Sequence, residues 1–329
     1  MKTIRWGMIG CGDVAEVKSG PGFYKAPGSS LVVAMRRNRE LAADFARRHG
    51  VARATDDADE VIRAPDVDAI YVATLTDTHC DYVLRCAAAG KPVYVEKPMA
   101  MTHAQALDMV KGCQAAGVPL WVAYYRRALP RFLKVKALIE EGAVGRVLAV
   151  SSRQLARPAL PGRGAPVPWR IVPEKSGGGY FFEAACHTFD ILDFLFGPIE
   201  VVHGVAANQA GDYAAEDMVT AAYSFASGVQ GVGLWCYNAD VDEEMNEVVG
   251  DRGRIQFSTT AATPIRIFRG EQVEALPVGD PPHVQQPLIE SIVAELNGVG
   301  ACLSTGVSAA RTAWVMDEIL AAHRARART

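Results

Sequence analysis

The chain has 329 residues, half of them hydrophobic and 22% charged, with a formal net charge of −3. This mix excludes a disordered or collagen-like chain, and the lack of a basic excess argues against a nucleic-acid binder. At about 100–200 residues per domain, two domains are expected.

The first third alternates strand-like and helix-like segments. Short apolar runs rich in Val and Ile lie at Ile4–Ile9, Leu31–Met35, Ala69–Thr74, Val93–Val95 and Leu120–Tyr124, as strands buried on both faces read. Between them, Asn38 is placed to cap a helix running to about His49, with Gly50 just past its end. Thr102 and Gln105 have capping-box spacing, and their helix runs to about Ala116. Such alternation predicts a parallel sheet with right-handed crossovers.

After about Arg126 the pattern changes. A helix is expected over Pro130–Glu141, then a strand near Val147–Arg153, a Pro/Gly/Arg-rich loop over Ala156–Gly179, and a helix over Glu183–Phe196. Strands without intervening helices follow at about Val201–Ala207, Met218–Phe225, Val229–Tyr237, Glu247–Val249, Arg254–Phe257 and Ile265–Phe268. Ala226–Gly228 and Gly250–Gly253 read as hairpin turns, so this second sheet should be antiparallel. Helices over Pro287–Leu296 and Val307–His323 close the chain. The fold class is therefore α/β, a doubly wound parallel sheet over 1–125, followed by an α+β domain over 126–329 with an open, mainly antiparallel sheet.

Seven scattered cysteines without a CxxC pair argue against a zinc knuckle or a disulfide framework. No metal site is expected. The N-terminus lacks a signal-peptide stretch and no segment approaches a membrane span, so a soluble cytoplasmic protein is expected.

Gly10-Cys11-Gly12-Asp13-Val14-Ala15 fits G-x-G-x-x-A between a strand and a helix. Glycine lets the chain turn tightly there and lets amides meet a pyrophosphate; the plain alternative is a strand–helix turn. Ser19-Gly20-Pro21-Gly22 should break the first helix, with a second piece starting near Pro21. The second long strand ends Met35-Arg36-Arg37-Asn38, without the acid that binds a ribose 2′-hydroxyl in NAD sites. Two guanidinium groups suit a 2′-phosphate, which points to NADP rather than NAD. Solvated surface arginines are the bland alternative.

The strand Val93–Val95 runs into Glu96-Lys97-Pro98, and Ala69–Thr74 runs into Leu75-Thr76-Asp77-Thr78-His79. Ligands of parallel sheets bind at the carboxyl ends of strands, so Lys97 should project into the cleft. With these segments and Gly177-Gly178-Gly179 followed by His187, essentially the whole chain resembles the Gfo/Idh/MocA oxidoreductases. That family includes glucose–fructose oxidoreductase, inositol dehydrogenases and dihydrodiol dehydrogenases. The resemblance implies that Lys97 and His187 flank the nicotinamide and the reacting carbon, and that a sugar, cyclitol or related alcohol is oxidised or its carbonyl reduced. It also implies an open sheet used for oligomerisation, a homodimer or homotetramer.

Hydride transfer needs an acid–base group at the substrate oxygen. Desolvation and the charge of an oxidised nicotinamide would lower a lysine into that role, and His187 titrates near neutrality. Either residue can move the proton while the other orients the oxygen. Glu183, His187 and Asp190 fall on one face of a helix at i, i+4 and i+7. The family usually has Asp at the position of Glu183, which changes the reach of that side chain. A metal triad of these three residues and a structural His187 are the alternatives.

The catalytic candidates are Lys97, His187 and Glu183. The cofactor candidates are Gly10, Cys11, Gly12, Asp13, Val14, Arg36, Arg37, Thr74, Leu75, Thr76, His79, Glu96 and Lys97, with Trp169 and Arg170 from the irregular loop. Substrate contacts are expected from Lys97, Tyr125, Arg126, Trp169, Glu183 and His187. Tyr125 and Ala128 replace the Asn and Phe of many relatives. His79 either lines the nicotinamide pocket or caps the next helix. The function these residues point to is an NADP-dependent oxidoreductase acting on a small polyol-like molecule; the alternative is a non-catalytic dinucleotide-binding regulator of the same fold.

Overall fold

The computed structural model describes residues 2–159 and 166–326. The chain divides into two compact units, Met1–Leu129 with Pro281–Ala310, and Pro130–Asp280 with Arg311–Thr329. The sequence reading placed one crossing after residue 125. The segment Pro281–Ala310 instead folds with the first unit, a long-range return that no local pattern signals.

The first unit begins with β1 (Ile4–Ile9), a π-helical turn (Ala15–Ser19), α1 (Gly20–Lys25), β2 (Ser29–Met35), α2 (Arg39–His49), β3 (Arg53–Thr55) and α3 (Ala58–Ile62). It continues with β4 (Ala69–Val72), α4 (His79–Ala88), β5 (Val93–Val95), α5 (His103–Ala115) and β6 (Leu120–Val122). All six strands are parallel, in the order β3-β2-β1-β4-β5-β6. The three-residue β3 was not legible in sequence, and β4 and β6 end two residues sooner than expected. After β6 the chain turns into a 3-10 segment, Tyr125–Ala128.

Local chemistry explains these elements. The Asn38 side chain accepts from Leu41 N, and Gly50 takes the left-handed conformation that closes α2. Thr102 accepts from Gln105 N, while Gln105 reaches back to Met101 N, one residue before the expected capping-box partner. The helix after β1 is split as its Gly and Pro residues require, into the π turn and α1. Under the sheet, Trp6, Phe23, Tyr71 and Tyr94 form a fully buried aromatic cluster with neighbouring centroids 4.9–5.0 Å apart. Burial of one such ring is worth roughly 1.5–3 kcal/mol.

The second unit contains α6 (Pro130–Glu140), β7 (Val147–Leu155), α7 (Pro173–Ser176), α8 (Tyr180–Phe196), β8 (Ile199–Ala207), β9 (Met218–Phe225) and β10 (Gln230–Cys236). It continues with β11 (Glu243–Gly250), β12 (Gly253–Phe257), β13 (Ile265–Arg269) and β14 (Gln272–Leu276). The last of these strands was not expected. The eight-stranded sheet has the order β14-β13-β12-β11-β7-β10-β9-β8, antiparallel except where β7 pairs with β10. Both expected hairpin turns join antiparallel neighbours, β9 to β10 and β11 to β12.

One face of this sheet packs on α8, where Phe181 and Phe189 meet Trp235 at 5.2 and 5.3 Å. The other face leaves Val201, Val205 and Val232 exposed. Helix α9 (Gln286–Leu296) belongs to the first unit, and α10 (Gly306–Arg326) begins in the first and ends in the second. No helix among the described residues is long and apolar enough to cross a membrane.

Candidate active site

The sheet order reverses between β1 and β4, the point at which doubly wound sheets bind ligands. The glycine loop lies there. Gly10 has φ +100°, and a Cβ on it would lie 2.6 Å from Ala73 O and 2.9 Å from Thr74 N. Only glycine lets the β1 and β4 ends approach this closely. The Gly10 and Cys11 amides both donate to Met35 O, and Gly12 N donates to Gly10 O. These three amides are therefore spent in shaping the loop. The amides left for an anion are those of the following helical turn, from Asp13 and Val14 onward.

A Cβ on Gly12 would meet nothing within 4 Å. The chain's own atoms thus do not require glycine there. The Cys11 thiol is buried, and burial pushes it up to about 11, so it stays neutral. At the end of β2, Arg36 is half-buried and Arg37 exposed. Asn38, beside them, is occupied as the cap of α2.

The ends of β4 and β5 are tied together. His79 is buried, with Nδ1 3.0 Å from Pro98 O and Nε2 3.2 Å from Thr74 O. Burial lowers its proton affinity, so a neutral ring donates to one of these carbonyls. His79 is thus a brace between the two strand-end loops, and Thr78, not His79, holds the N-cap position of α4. Thr76 is buried, and the Thr74 and Thr78 hydroxyls are hydrogen-bonded to each other at 2.7 Å. The carbonyl of Leu75 accepts from Thr78 Oγ1.

Glu96 is also held from several sides. Its Oε1 accepts from Tyr71 Oη at 2.6 Å and Gln285 Nε2 at 2.7 Å, and its Oε2 accepts from Lys97 N at 3.1 Å. Lys97 is half-buried, and its peptide bond to Pro98 is cis. After β6, Tyr125 is buried with the Arg126 guanidinium 5.0 Å from its ring centroid. Gln285 escaped the sequence reading because its partners lie 189 and 191 residues away.

In the second unit, Glu183 lies in the first turn of α8, and His187 and Asp190 follow it on the same helix, both buried. Arg170 Nε is 3.4 Å from Glu183 Oε1, and the Arg170 guanidinium stacks on Trp169 at 4.6 Å. Trp169, Arg170 and Glu183 therefore form one cluster. Trp169–Ile171 is a 3-10 turn and Pro173–Ser176 a short helix, structure the sequence reading left as loop; 160–165 lies outside the described residues.

The triple glycine has a steric cause. A Cβ on Gly179 would lie 2.6 Å from Glu216 O, and one on Gly178 would lie 2.7 Å from Phe182 Cβ. Glu216 Oε1 accepts from Gly179 N at 2.7 Å, and burial pushes its carboxyl up. Arg311 grips Asp193 with two 2.7 Å hydrogen bonds and so pins α8 to α10. No group of three or more His, Cys, Asp or Glu among the described residues is arranged to hold a metal ion.

Two family models match. One described as "Oxidoreductase family, NAD-binding Rossmann fold" covers residues 4–124, and "GFO/IDH/MocA C-terminal domain" covers residues 132–256. "Oxidoreductase P35" of Formosa agariphila is 39% identical over 292 residues, 88% of this chain and 90% of that protein. "1,5-anhydro-D-fructose reductase" of Ensifer adhaerens is 29% identical over 310 residues, 92% and 91% of the two chains. Among solved structures, a levoglucosan dehydrogenase in complex with NADH has a TM-score of 0.86 at 24% identity, covering 98% of this chain and 97% of that one. That likeness shows the fold.

Proposed function

Because the chain belongs to the Gfo/Idh/MocA family of NAD-binding oxidoreductases, we propose that it moves a hydride between NADP and a hydroxyl or carbonyl carbon of a sugar, cyclitol or related polyol. The observation that carries this reading is Lys97. It stands just past the carboxyl end of β5, in a parallel sheet whose glycine loop follows β1 at the reversal of strand order.

The nicotinamide would accept or donate the hydride. The chain's own residues would manage the proton and the geometry. Lys97 Nζ is the proposed hydrogen-bonding and proton-holding group at the reacting oxygen, with His187 as the second acid–base group. Glu183 is proposed to orient substrate hydroxyls, its position held by Arg170 at 3.4 Å. Tyr125, Arg126 and Trp169 are proposed as further substrate contacts. The Asp13 and Val14 amides are proposed to take the pyrophosphate, with Thr74, Leu75 and Thr76 lining the same crevice.

Arg36 and Arg37 favour NADP, since no carboxylate stands at the end of β2 to repel a 2′-phosphate. The solved neighbour named above binds NADH, so this preference rests on the two arginines alone. A cyclic polyol substrate agrees with the relative named as a 1,5-anhydro-D-fructose reductase. The exposed face of the eight-stranded sheet, with Val201, Val205 and Val232, is proposed to pair with a second copy of the chain.

The test is turnover of NADP(H) and NAD(H) against polyols, cyclitols, aldoses and keto sugars, for the parent and Lys97→Met. Turnover with one substrate class is expected, and kcat should fall about 10²–10⁴-fold in the variant while dinucleotide affinity persists. Unchanged turnover in the variant would remove Lys97 from the mechanism. Tight NADPH binding without any turnover would favour a regulator.

A further inference from the structure

We propose that Gln285 is a positioning residue for Lys97, acting through the Glu96 carboxylate. The inference rests on the reading above that Lys97 serves the reacting oxygen. Gln285 is buried and stands immediately before α9, in the segment that returns to the first unit. Its carboxamide bridges β5 and the residue just after it: Tyr94 Oη donates to its Oε1 at 2.8 Å, and its Nε2 donates to Glu96 Oε1 at 2.7 Å. A carboxylate only accepts, so the amide can face it in one orientation alone.

The buried carboxylate needs these donors. Glu96 is 6% exposed, and an ionised group in such a place is costly unless hydrogen-bonded. Two donors hold Oε1, from Tyr71 and Gln285; the Lys97 amide holds Oε2. Burial, with the Glu96 charge adding to it, pushes both tyrosine hydroxyls well above their usual range, so both remain protonated donors. Beyond Lys97, Pro98 O faces His79 Nδ1 at 3.0 Å.

The Lys97 backbone is thus pinned on both sides. The His79 pin comes from a neighbouring strand-end loop, the Glu96 pin from a residue nearly two hundred positions away. Without Gln285, one of the two donors to Oε1 is lost, the Tyr94 hydroxyl loses its acceptor, and the carboxylate, held at Oε1 by Tyr71 alone, is less firmly set against the Lys97 amide. Misplacing a reacting group by about 1 Å costs on the order of 10²-fold in rate, and partial loosening costs less.

The same helix reaches the glycine-loop side of the fold. A Cβ on Gly22 of α1 would lie 2.7 Å from Ile289 Cδ1 of α9, so α1 and α9 are in direct contact. The returning segment therefore supports both the helix that follows the phosphate loop and the strand end that carries Lys97.

The experiment uses the full chain without cofactor, its lysines reductively ¹³C-methylated and the Lys97 resonance assigned by its loss in Lys97→Met. In Gln285→Met and in the milder Tyr94→Phe, the Lys97 resonance and its titration midpoint should move while the other lysines stay in place. With substrate, kcat should fall about tenfold in Gln285→Met, with dinucleotide KM within about twofold. Gln285→Glu should keep activity at low pH, where a shared proton replaces the amide donor, and lose it as pH rises and that proton leaves two adjacent buried carboxylates repelling each other. A Lys97 resonance and midpoint identical to the parent in folded Gln285→Met and Tyr94→Phe would overturn the proposal; should Gln285→Met not fold, Tyr94→Phe decides. Unaffected turnover in Lys97→Met would instead sink the role given to Lys97, while the resonance still reports on the brace.

Discussion

The two sheets place chemistry in opposite ways. In the six-stranded sheet, β4, β5 and β6 are buried along their whole length, and the candidate residues sit just past the strand ends, at Gly10, Thr74 and Lys97. In the eight-stranded sheet, β9 alternates between buried and exposed residues, and the candidates lie on α8 and the preceding turn. A sheet covered on both faces by crossover helices has only its ends free for ligands. A sheet covered on one face has a broad surface to spare, suited to pairing with another chain rather than to holding a small molecule.

The sharpest way to separate these roles is by charge at the strand end. Reversing Arg36 and Arg37 to Glu should weaken NADPH binding about 10²-fold, as expected when charge-assisted hydrogen bonds of about 1.5–3 kcal/mol are lost. NADH binding should change by less than about threefold. Calorimetric titration of both nucleotides decides it, and an equal loss for the two would sink the NADP preference.

A smaller effect is expected on the open sheet face. Val232→Asp or Val205→Asp puts a charge into the exposed apolar surface. Self-association measured by sedimentation should weaken about tenfold, with nucleotide affinity untouched. If the oligomeric state is unmoved, this face is not the interface and the contrast between the sheets loses half its content.

The smallest effect tests the π turn behind the glycine loop. Glu16 pairs with Arg48 and lies 2.8 Å from His49 Nε2, and these contacts hold its carboxyl down to about 2, the Arg48 hydrogen bond being the main cause. A depressed carboxyl stabilises the fold above its unfolded value of 4.5 and loses that contribution as pH falls toward 2. Glu16→Gln should therefore lower Tm by a few degrees at neutral pH, and the gap should close between about pH 5 and pH 2. A gap constant with pH would show that packing, not charge, holds the turn.

Much of the first unit was legible because its signals are local. Asn38 and Gly50 bound α2 through bonds spanning three or four residues, and the break at Ser19–Gly22 follows from Gly and Pro alone. The short strands β3 and β14, three and five residues long, were not read. Runs of that length carry little periodicity. The eight-stranded sheet was legible as successive strands, but its parallel β7–β10 pair was not, since pairing register depends on neighbours far along the chain. His79 and Glu96, offered by the sequence as cofactor contacts, with a helix cap as the alternative for His79, have bracing hydrogen bonds at the strand ends that only the structure reveals.

By itself, the sequence determined the alternation of strands and helices, the glycine turn after β1, and the lysine two residues beyond the end of β5. Each of these follows from side-chain period, caps or turn residues within a short window. Only the tertiary structure decided that Pro281–Ala310 returns to the first unit and that Gln285 meets Glu96 across 189 residues. It likewise decided that Gly179 is glycine because Glu216 leaves no room for a Cβ. The physical reason is the same throughout: a hydrogen bond or a close approach needs two groups within about 3 Å, and chain spacing does not report that distance.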